Sequence, residues 1–197
     1  MCVRTVPTMT SDSARTEQPT QARPATCTHT QWLWADNHHD HPDTERLWSG
    51  KWLWFPPICL LDTSWDTIRT ATRDGLLGHR SKAATLINTR RGSDDSRRPI
   101  CVYTNDWRDL DNVRKVLNAL RDLGIVDVLL YKTNADTERG RYGGGASTYK
   151  ALPGRRDMNI PRRTELLLEH HHTVRRNARE TAEQRKHALT PRTANAG

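Results

Sequence analysis

The chain has few apolar residues. Of its 197 residues, 35% are hydrophobic, one is Phe, and the mean hydropathy is -0.84. A chain this polar cannot bring its whole length into one core, so part of it must lie outside any folded domain. No stretch approaches the ~20 apolar residues of a membrane helix, and no apolar run follows the N-terminus. We therefore expect no membrane partner and no signal peptide.

Cysteine is also scarce, and its spacing excludes two classes of small protein. Cys2, Cys27, Cys59 and Cys101 contain no C-x-x-C pair. This spacing argues against a disulfide framework and against a zinc site built on cysteine. The pattern favours a reduced, cytoplasmic protein, and no cofactor is predicted.

The positive charge of the chain lies mostly near its C-terminal end. The formal net charge is +8, of which residues 151–197, with 10 basic and 5 acidic side chains, supply +5. The central part is nearly neutral, which argues against a broad nucleic-acid-binding face on the domain. We expect weak, non-specific contact with nucleic acid through the basic C-terminal tail only.

The composition divides the chain into three parts. Residues 1–30 are rich in Thr, Ser, Pro and Arg and are predicted to be a disordered tail. Residues 31–152 are predicted to form a single α+β domain, in which 31–49 is an irregular arm. Residues 153–197 are predicted to be a basic tail that is disordered or forms a marginal helix over 164–189.

Hydrophobic periodicity inside the domain predicts four strands and two helices. The first helix should begin at Asp62 or Thr63 and the second at Asp106 or Asp109, because Asp and Thr are good N-caps. Glycines near 75–78 and at 124 should end them. The strands are expected over 51–55, 81–89, 99–105 and 125–133. The order β-α-β-β-α-β predicts a mostly antiparallel sheet with the helices on one face.

Several segments, taken together, resemble a known family. They are GKWLWF at residues 50–55, the helix of 64–77 with its Gly-Leu-Leu-Gly turn, SKAAT at 81–85, ICVYT at 100–104, and YKT at 131–133 with Arg141-Tyr-Gly after it. The chain resembles the basophilic leukaemia expressed protein family, whose members are uncharacterised, over roughly residues 48–150. The resemblance implies the curved antiparallel sheet of translation initiation factor 4E. Bacterial relatives carry a phosphothreonine lyase label, but fold kinship does not carry function.

Two lysines interrupt apolar strand faces and are candidates for binding an anion. Lys82 begins one strand and Lys132 ends another, and a glycine-rich loop with Arg139 and Arg141 follows Lys132. Such cations beside flexible backbone amides suit a phosphate group, although the loop matches neither a Walker nor a dinucleotide pattern. Two tyrosines near strand ends complete the predicted ligand-binding set, namely Tyr103 and Tyr131. Snorkelling of Lys132 to water is the simpler interpretation of that residue.

The aromatic and histidine clusters have simpler interpretations than binding. Trp65, Trp52 and Trp54 are expected to fill the core, although a base-stacking platform is the alternative for the seven tryptophans. The histidines of 37–41 and 170–172 lack rigid support and matching ligands downstream, so no metal site is predicted.

Three classes of function remain open from the sequence. The first is a module that binds a phosphate-bearing ligand: a nucleotide, a nucleic-acid end or a phosphopeptide. The second is an enzyme, a phosphothreonine lyase acting by β-elimination, with Lys82 or Lys132 as base and His79 as acid. The third is a structural or interaction protein, which a wall of packed side chains in place of a cleft would favour.

Overall fold

The computed structural model describes residues 22–38, 48–87, 96–141 and 147–189, with side chains up to residue 185. Within these ranges the chain forms six strands and four helices. The strands are β1 (Trp32–Asp36), β2 (Gly50–Trp54), β3 (Arg80–Ala84), β4 (Ile100–Thr104), β5 (Leu129–Thr133) and β6 (Tyr149–Ala151). The helices are α1 (Ile58–Arg73), α2 (Leu110–Asp122), α3 (Asn134–Glu138) and α4 (Arg162–Leu189).

All six strands belong to one antiparallel sheet. Their order is β1-β3-β4-β2-β5-β6, so the central strands β4 and β2 each have partners on both sides. The α+β class and the antiparallel sheet are therefore confirmed. The run from β2 to β5 reads β-α-β-β-α-β, and β1, α3, β6 and α4 are additions to it. β1 lies within the stretch that we expected to be an irregular arm.

The core lies between one face of the sheet and the helices α1 and α2. Trp52 is 1% exposed and donates a hydrogen bond from Nε1 to the backbone oxygen of Val113 in α2, at 3.1 Å. Trp65 of α1 is equally buried, as expected for core residues, while Trp54 packs against the rim of the core. Tyr131 and Tyr149 extend this aromatic layer towards β6.

Several elements begin or end away from the expected residues. α1 starts at Ile58 rather than at Asp62 or Thr63. Pro57 is its N-cap residue, and the Pro57 carbonyl accepts a 3.0 Å hydrogen bond from the N–H of Leu60 in the first turn. The Asp62 carboxylate instead accepts a hydrogen bond from the backbone N–H of Ala25. β3 ends at Ala84 and β5 begins at Leu129, so both are shorter than predicted. Asp109 caps α2, as one of the two predicted alternatives.

Two segments beyond the expected domain contact it. In residues 22–30, Cys27 is buried in the core cluster, and the backbone N–H of Leu86 donates a hydrogen bond to the carbonyl of Pro24. In α4, Leu168 is buried, and Thr164 donates a hydrogen bond from Oγ1 to the backbone oxygen of Thr148. The limits of the independent folding unit remain a prediction, and residues 1–21 and 190–197 lie outside the described residues. No helix in the described part has the length and hydrophobicity to cross a membrane.

Candidate functional site

The sheet has two chemically different faces. Residues that pair across antiparallel strands point to the same side, and neighbours along a strand point to opposite sides. Trp52, Val102 and Tyr131 therefore face the helices, while Lys51 and its partners Tyr103 and Lys132 face away from them. The register extends this second face to β1 and β3. We call it the lysine face; its polar and aromatic residues on β1–β5 are Trp32, Trp34, Asp36, Lys51, Arg80, Lys82, Tyr103 and Lys132.

Lys82 lies among three aromatic rings. Its Nζ is 4.1 Å from the ring centroid of Trp32, 4.8 Å from that of Trp34 and 5.7 Å from that of Tyr103. Each distance is short enough for attraction between the ammonium charge and the ring face. The predicted candidate Lys82 is thus held at a defined place on the sheet.

Lys51 is a site residue that the sequence reasoning missed. Its Nζ lies 5.3 Å from the ring centroid of Tyr103 and donates a 2.8 Å hydrogen bond to Oδ1 of Asn134. Two lysines from different strands, Lys51 and Lys82, therefore approach the same tyrosine ring. The alternation of Lys51 and Leu53 with Trp52 and Trp54 was the available signal, because it places Lys51 on the opposite face from the two tryptophans.

Lys132 contacts Arg141 through the backbone of the loop and not through the guanidinium. Lys132 Nζ donates a hydrogen bond to the carbonyl oxygen of Arg141. The Arg141 guanidinium lies 3.3 Å from a carboxylate oxygen of Asp136, in an exposed ion pair. Arg139 is exposed at the end of α3. Residues 142–146 of the predicted glycine-rich loop lie outside the described residues.

The structure does not place Lys82 directly beside Lys132. β4 and β2 separate their strands, and three strand spacings put about 14 Å between the two backbones. Tyr103 and Lys51, on the two intervening strands, fill this interval. The predicted residues therefore lie in a band across one face rather than at a single point.

Tyr131, another predicted ligand-binding residue, lies on the core face. It is 0% exposed, and its hydroxyl is 2.5 Å from Oγ1 of Thr104. Burial raises the pKa of its phenol well above the ordinary value. A side chain enclosed in this way cannot touch a ligand on the lysine face. It supports the site from behind by packing against Trp52, at 5.2 Å between ring centroids.

His79, the predicted acid of a lyase, lies close to the middle of the band. Its ring centroid is 6.0 Å from that of Tyr103 at an interplanar angle of 53°. Its position is fixed by the backbone, because the carbonyl of His79 accepts a 2.9 Å hydrogen bond from the N–H of Asn37. Gly78 before it allows close packing, since a Cβ there would lie 1.7 Å from the backbone oxygen of Tyr103.

The band is more open at one end than at the other. Lys51 and Lys132 are each 6% exposed, whereas Trp34, on the edge strand β1, is 38% exposed. Arg80 and Asp36 beside it are partly exposed and form an ion pair of 2.6 Å. The lysine face is therefore most accessible from the side of β1 and β3.

A second cluster holds α4 to the domain. The ring of His171 is 5.2 Å from that of Trp48 and 5.9 Å from that of Trp107, edge-on to both. The Arg108 guanidinium lies 3.7 Å from the Trp48 ring centroid and pairs with Asp106. Burial, with the positive charge of Arg108, lowers the pKa of His171.

The described residues offer no metal centre and show free thiols. Among residues 22–38, 48–87, 96–141 and 147–189, no group of three His, Cys, Asp or Glu side chains could hold a metal ion. Residues 39–41 of the first histidine cluster lie outside these ranges. Cys27, Cys59 and Cys101 are free thiols, and Cys27 and Cys101 are buried.

A comparison with known protein families gives one match. The family model of basophilic leukemia-expressed protein Bles03 matches residues 35–138, which is slightly more than half of the chain. The chain therefore belongs to this family, as its sequence pattern predicted. The match spans β2 to β5 and so includes Lys51, Lys82, Tyr103 and Lys132.

Proposed function

We propose that the protein is a binding module for a phosphate-bearing ligand, which it holds on the lysine face. The observation that carries this proposal is the approach of Lys51 and Lys82 to one tyrosine ring, with Lys132 paired to Lys51 across β2 and β5. Nucleotides, nucleic-acid ends and phosphopeptides all carry the group that such a set of cations attracts.

The energetics of the face favour an anion. Charge-assisted hydrogen bonds to phosphate oxygens are about twice as strong as neutral ones, and partial burial strengthens them further. The rings around Lys82 restrict its side chain before any ligand arrives, which reduces the entropy lost on binding. Ligand contact with Lys82 is therefore expected to contribute more than contact with a freely rotating surface lysine.

The matched experiment replaces one lysine on the site and one away from it. Lys82→Met removes the charge and keeps most of the aliphatic stem, and affinity for a phosphate-bearing probe should fall by about tenfold or more, equal to about 1.4 kcal/mol. Lys115→Met is the control, because Lys115 is exposed on α2, which packs against the opposite face of the sheet. Calorimetry with inorganic phosphate, AMP and phosphothreonine tests both variants. Equal affinity in Lys82→Met and wild type would place the site elsewhere.

A phosphothreonine lyase is the alternative that the position of His79 favours. In β-elimination a base removes the α-proton, a double bond forms between the α- and β-carbons, and the C–O bond to phosphate breaks with a proton supplied to the leaving oxygen. Lys82 and His79 both lie within about 6 Å of the Tyr103 ring centroid and would be base and acid. Phosphate release from a phosphothreonine peptide, lost in both His79→Gln and Lys82→Met, would make this alternative the leading one.

Three broader expectations accompany this proposal. We propose that the sheet with α1 and α2 on one face is of the translation initiation factor 4E kind, which superposition on that factor tests. The buried free thiols Cys27 and Cys101 favour a reducing, cytoplasmic compartment, which cell fractionation tests. The basic helix α4 should add weak, salt-sensitive attraction to nucleic acid, which removal of residues 173–197 should abolish.

A further inference from the structure

We infer that the ligand of the lysine face is a nucleotide, whose base stacks on Trp34 while its phosphate lies over Lys82. This inference rests on the proposed phosphate site and assigns the part of the ligand that the cations do not explain. A phosphate group gains little from contact with an aromatic ring. The rings of the lysine face therefore indicate a second, planar part of the ligand.

Trp34 has the position and exposure of a stacking platform. Its side chain is 38% exposed although β1 is paired along its whole length with β3. Indole rings are usually buried in the core, as those of Trp52 and Trp65 are in this chain. The strand alternation places Trp34 with Lys82 and keeps Leu33 and Ala35 in the core.

The Trp34 ring is also held in a fixed orientation. It stacks against Tyr103 at 6.2 Å between centroids and 23° between planes. The Arg80 guanidinium lies 5.2 Å from the Trp34 centroid and is itself oriented by its ion pair with Asp36. A pre-oriented ring loses little entropy when a flat partner stacks on it, so these contacts favour a planar ligand.

Cations lie close to the Trp34 ring. Lys82 Nζ lies 4.8 Å from the centre of the Trp34 ring, and further cations follow along the band at Lys51 and Lys132. A base on Trp34 therefore has positive charge within the reach of its own phosphate. Phosphothreonine has no aromatic ring to stack on Trp34, so the face favours a nucleotide over a phosphothreonine residue. Base stacking on an aromatic side chain tolerates any base, so no single base is selected.

The experiment separates the base from the phosphate by measuring four probes by calorimetry: AMP, adenosine, ribose 5-phosphate and phosphothreonine. AMP should bind at least tenfold more tightly than each of the other three, which is about 1.4 kcal/mol. Trp34→Leu should lower AMP affinity about tenfold and ribose 5-phosphate affinity much less, because the nearer Trp32 ring still holds Lys82. Trp34→Phe should retain most of the AMP affinity. Phe55→Leu is the control, because Phe55 is 37% exposed at the end of β2.

The results distinguish a failure of the nucleotide assignment from a failure of the phosphate site. If ribose 5-phosphate or phosphothreonine binds as tightly as AMP and Trp34→Leu has no effect, the phosphate site stands and the nucleotide assignment is overturned. If none of the phosphate compounds binds, the proposed function fails and the nucleotide assignment with it. If Trp34→Leu weakens all probes equally, Trp34 supports the face structurally, and the stacking role is likewise overturned.

Discussion

Arg121 should be among the most costly residues to replace, although it lies far from the lysine face. It is in the last turn of α2, and its guanidinium donates four hydrogen bonds to backbone carbonyls. The acceptors are in two different segments: Ile125 and Asp127 before β5, and Leu152 and Arg155 after β6. One side chain thus joins a helix to the connections at one end of β5 and β6.

The loss of stability in Arg121→Met depends on whether water can replace the hydrogen bond to each carbonyl acceptor. Asp127, Leu152 and Arg155 are exposed, so water can replace most of their lost hydrogen bonds. Ile125 is buried, and an unsatisfied buried carbonyl costs about 1–3 kcal/mol. Each of the three hydrated acceptors adds a net loss of a few tenths to 1 kcal/mol. The free energy of unfolding of the variant should therefore fall by about 3 kcal/mol. This is a large part of a typical stability of about 5–15 kcal/mol.

Urea unfolding monitored by tryptophan fluorescence measures this change. Lys115→Met is the matched control, because Lys115 is exposed on the same helix and the substitution removes the same charge with a change within about 0.5 kcal/mol. Arg121→Lys should fall between the two, since one ammonium cannot reach carbonyls on both segments. If Arg121→Met unfolds within about 0.5 kcal/mol of Lys115→Met, the four hydrogen bonds contribute nothing net, and the reasoning is refuted.

Two further predictions concern the ends of the domain. The lowered pKa of His171 means that the packed state of α4 favours the neutral imidazole. The packing of His171 therefore stabilises the fold fully above the unfolded pKa of about 6.5, and this stabilisation is lost as pH falls below 6.5 towards the lowered folded pKa. The protection factors of amides in α4 should therefore fall as pH drops below about 6.5. His171→Phe, which keeps the ring contacts with Trp48 and Trp107, should remove that pH dependence. A chain of residues 31–154 should unfold at lower urea than one of residues 22–185, because it lacks buried Cys27 and Leu168; equal midpoints would show that both segments contribute nothing.

Local patterns were sufficient to predict the elements of the central part. Alternation and helical spacing identify β2, α1, β3, β4, α2 and β5, because each buries a stripe of several apolar side chains. β6 has three residues, too few to show any period. β1 does alternate, with Leu33 and Ala35 buried and Trp32, Trp34 and Asp36 on the opposite face, but the polar, histidine-rich residues around it concealed the strand.

The candidate site could be predicted only in part, for two physical reasons. Tyr131 and Lys132 are neighbours on one strand, and a shift of one residue reverses the face, so both could not belong to one site. Lys51 acquires its role from strand order, because β2 lies between β4 and β5 and brings Lys51 beside Tyr103 and Lys132. Strand order depends on long-range pairing, which local periodicity does not encode.

Packing on the core face at Gly50 should affect the position of Lys51 on the lysine face, which gives a last prediction. A Cβ at Gly50 would lie 2.3 Å from the Tyr131 hydroxyl, and Tyr131 is enclosed by Trp52 and Tyr149 and cannot move aside. Gly50 does not use a left-handed backbone, so Gly50→Ala tests this contact alone. Overpacking of this kind costs about 1–3 kcal/mol.

Because β2 must shift to relieve that contact, Lys51, the next residue, should move relative to its cross-strand partners. Gly50→Ala is therefore expected to weaken AMP binding as well as lower the urea midpoint. Arg121→Met acts at the opposite end of β5 and should lower stability while the folded fraction binds AMP normally. A Tyr131→Leu replacement should recover part of the Gly50→Ala loss in a double-mutant cycle, since the smaller side chain leaves room for the new methyl group. Normal AMP binding by folded Gly50→Ala would show that the core face does not set the geometry of the lysine face.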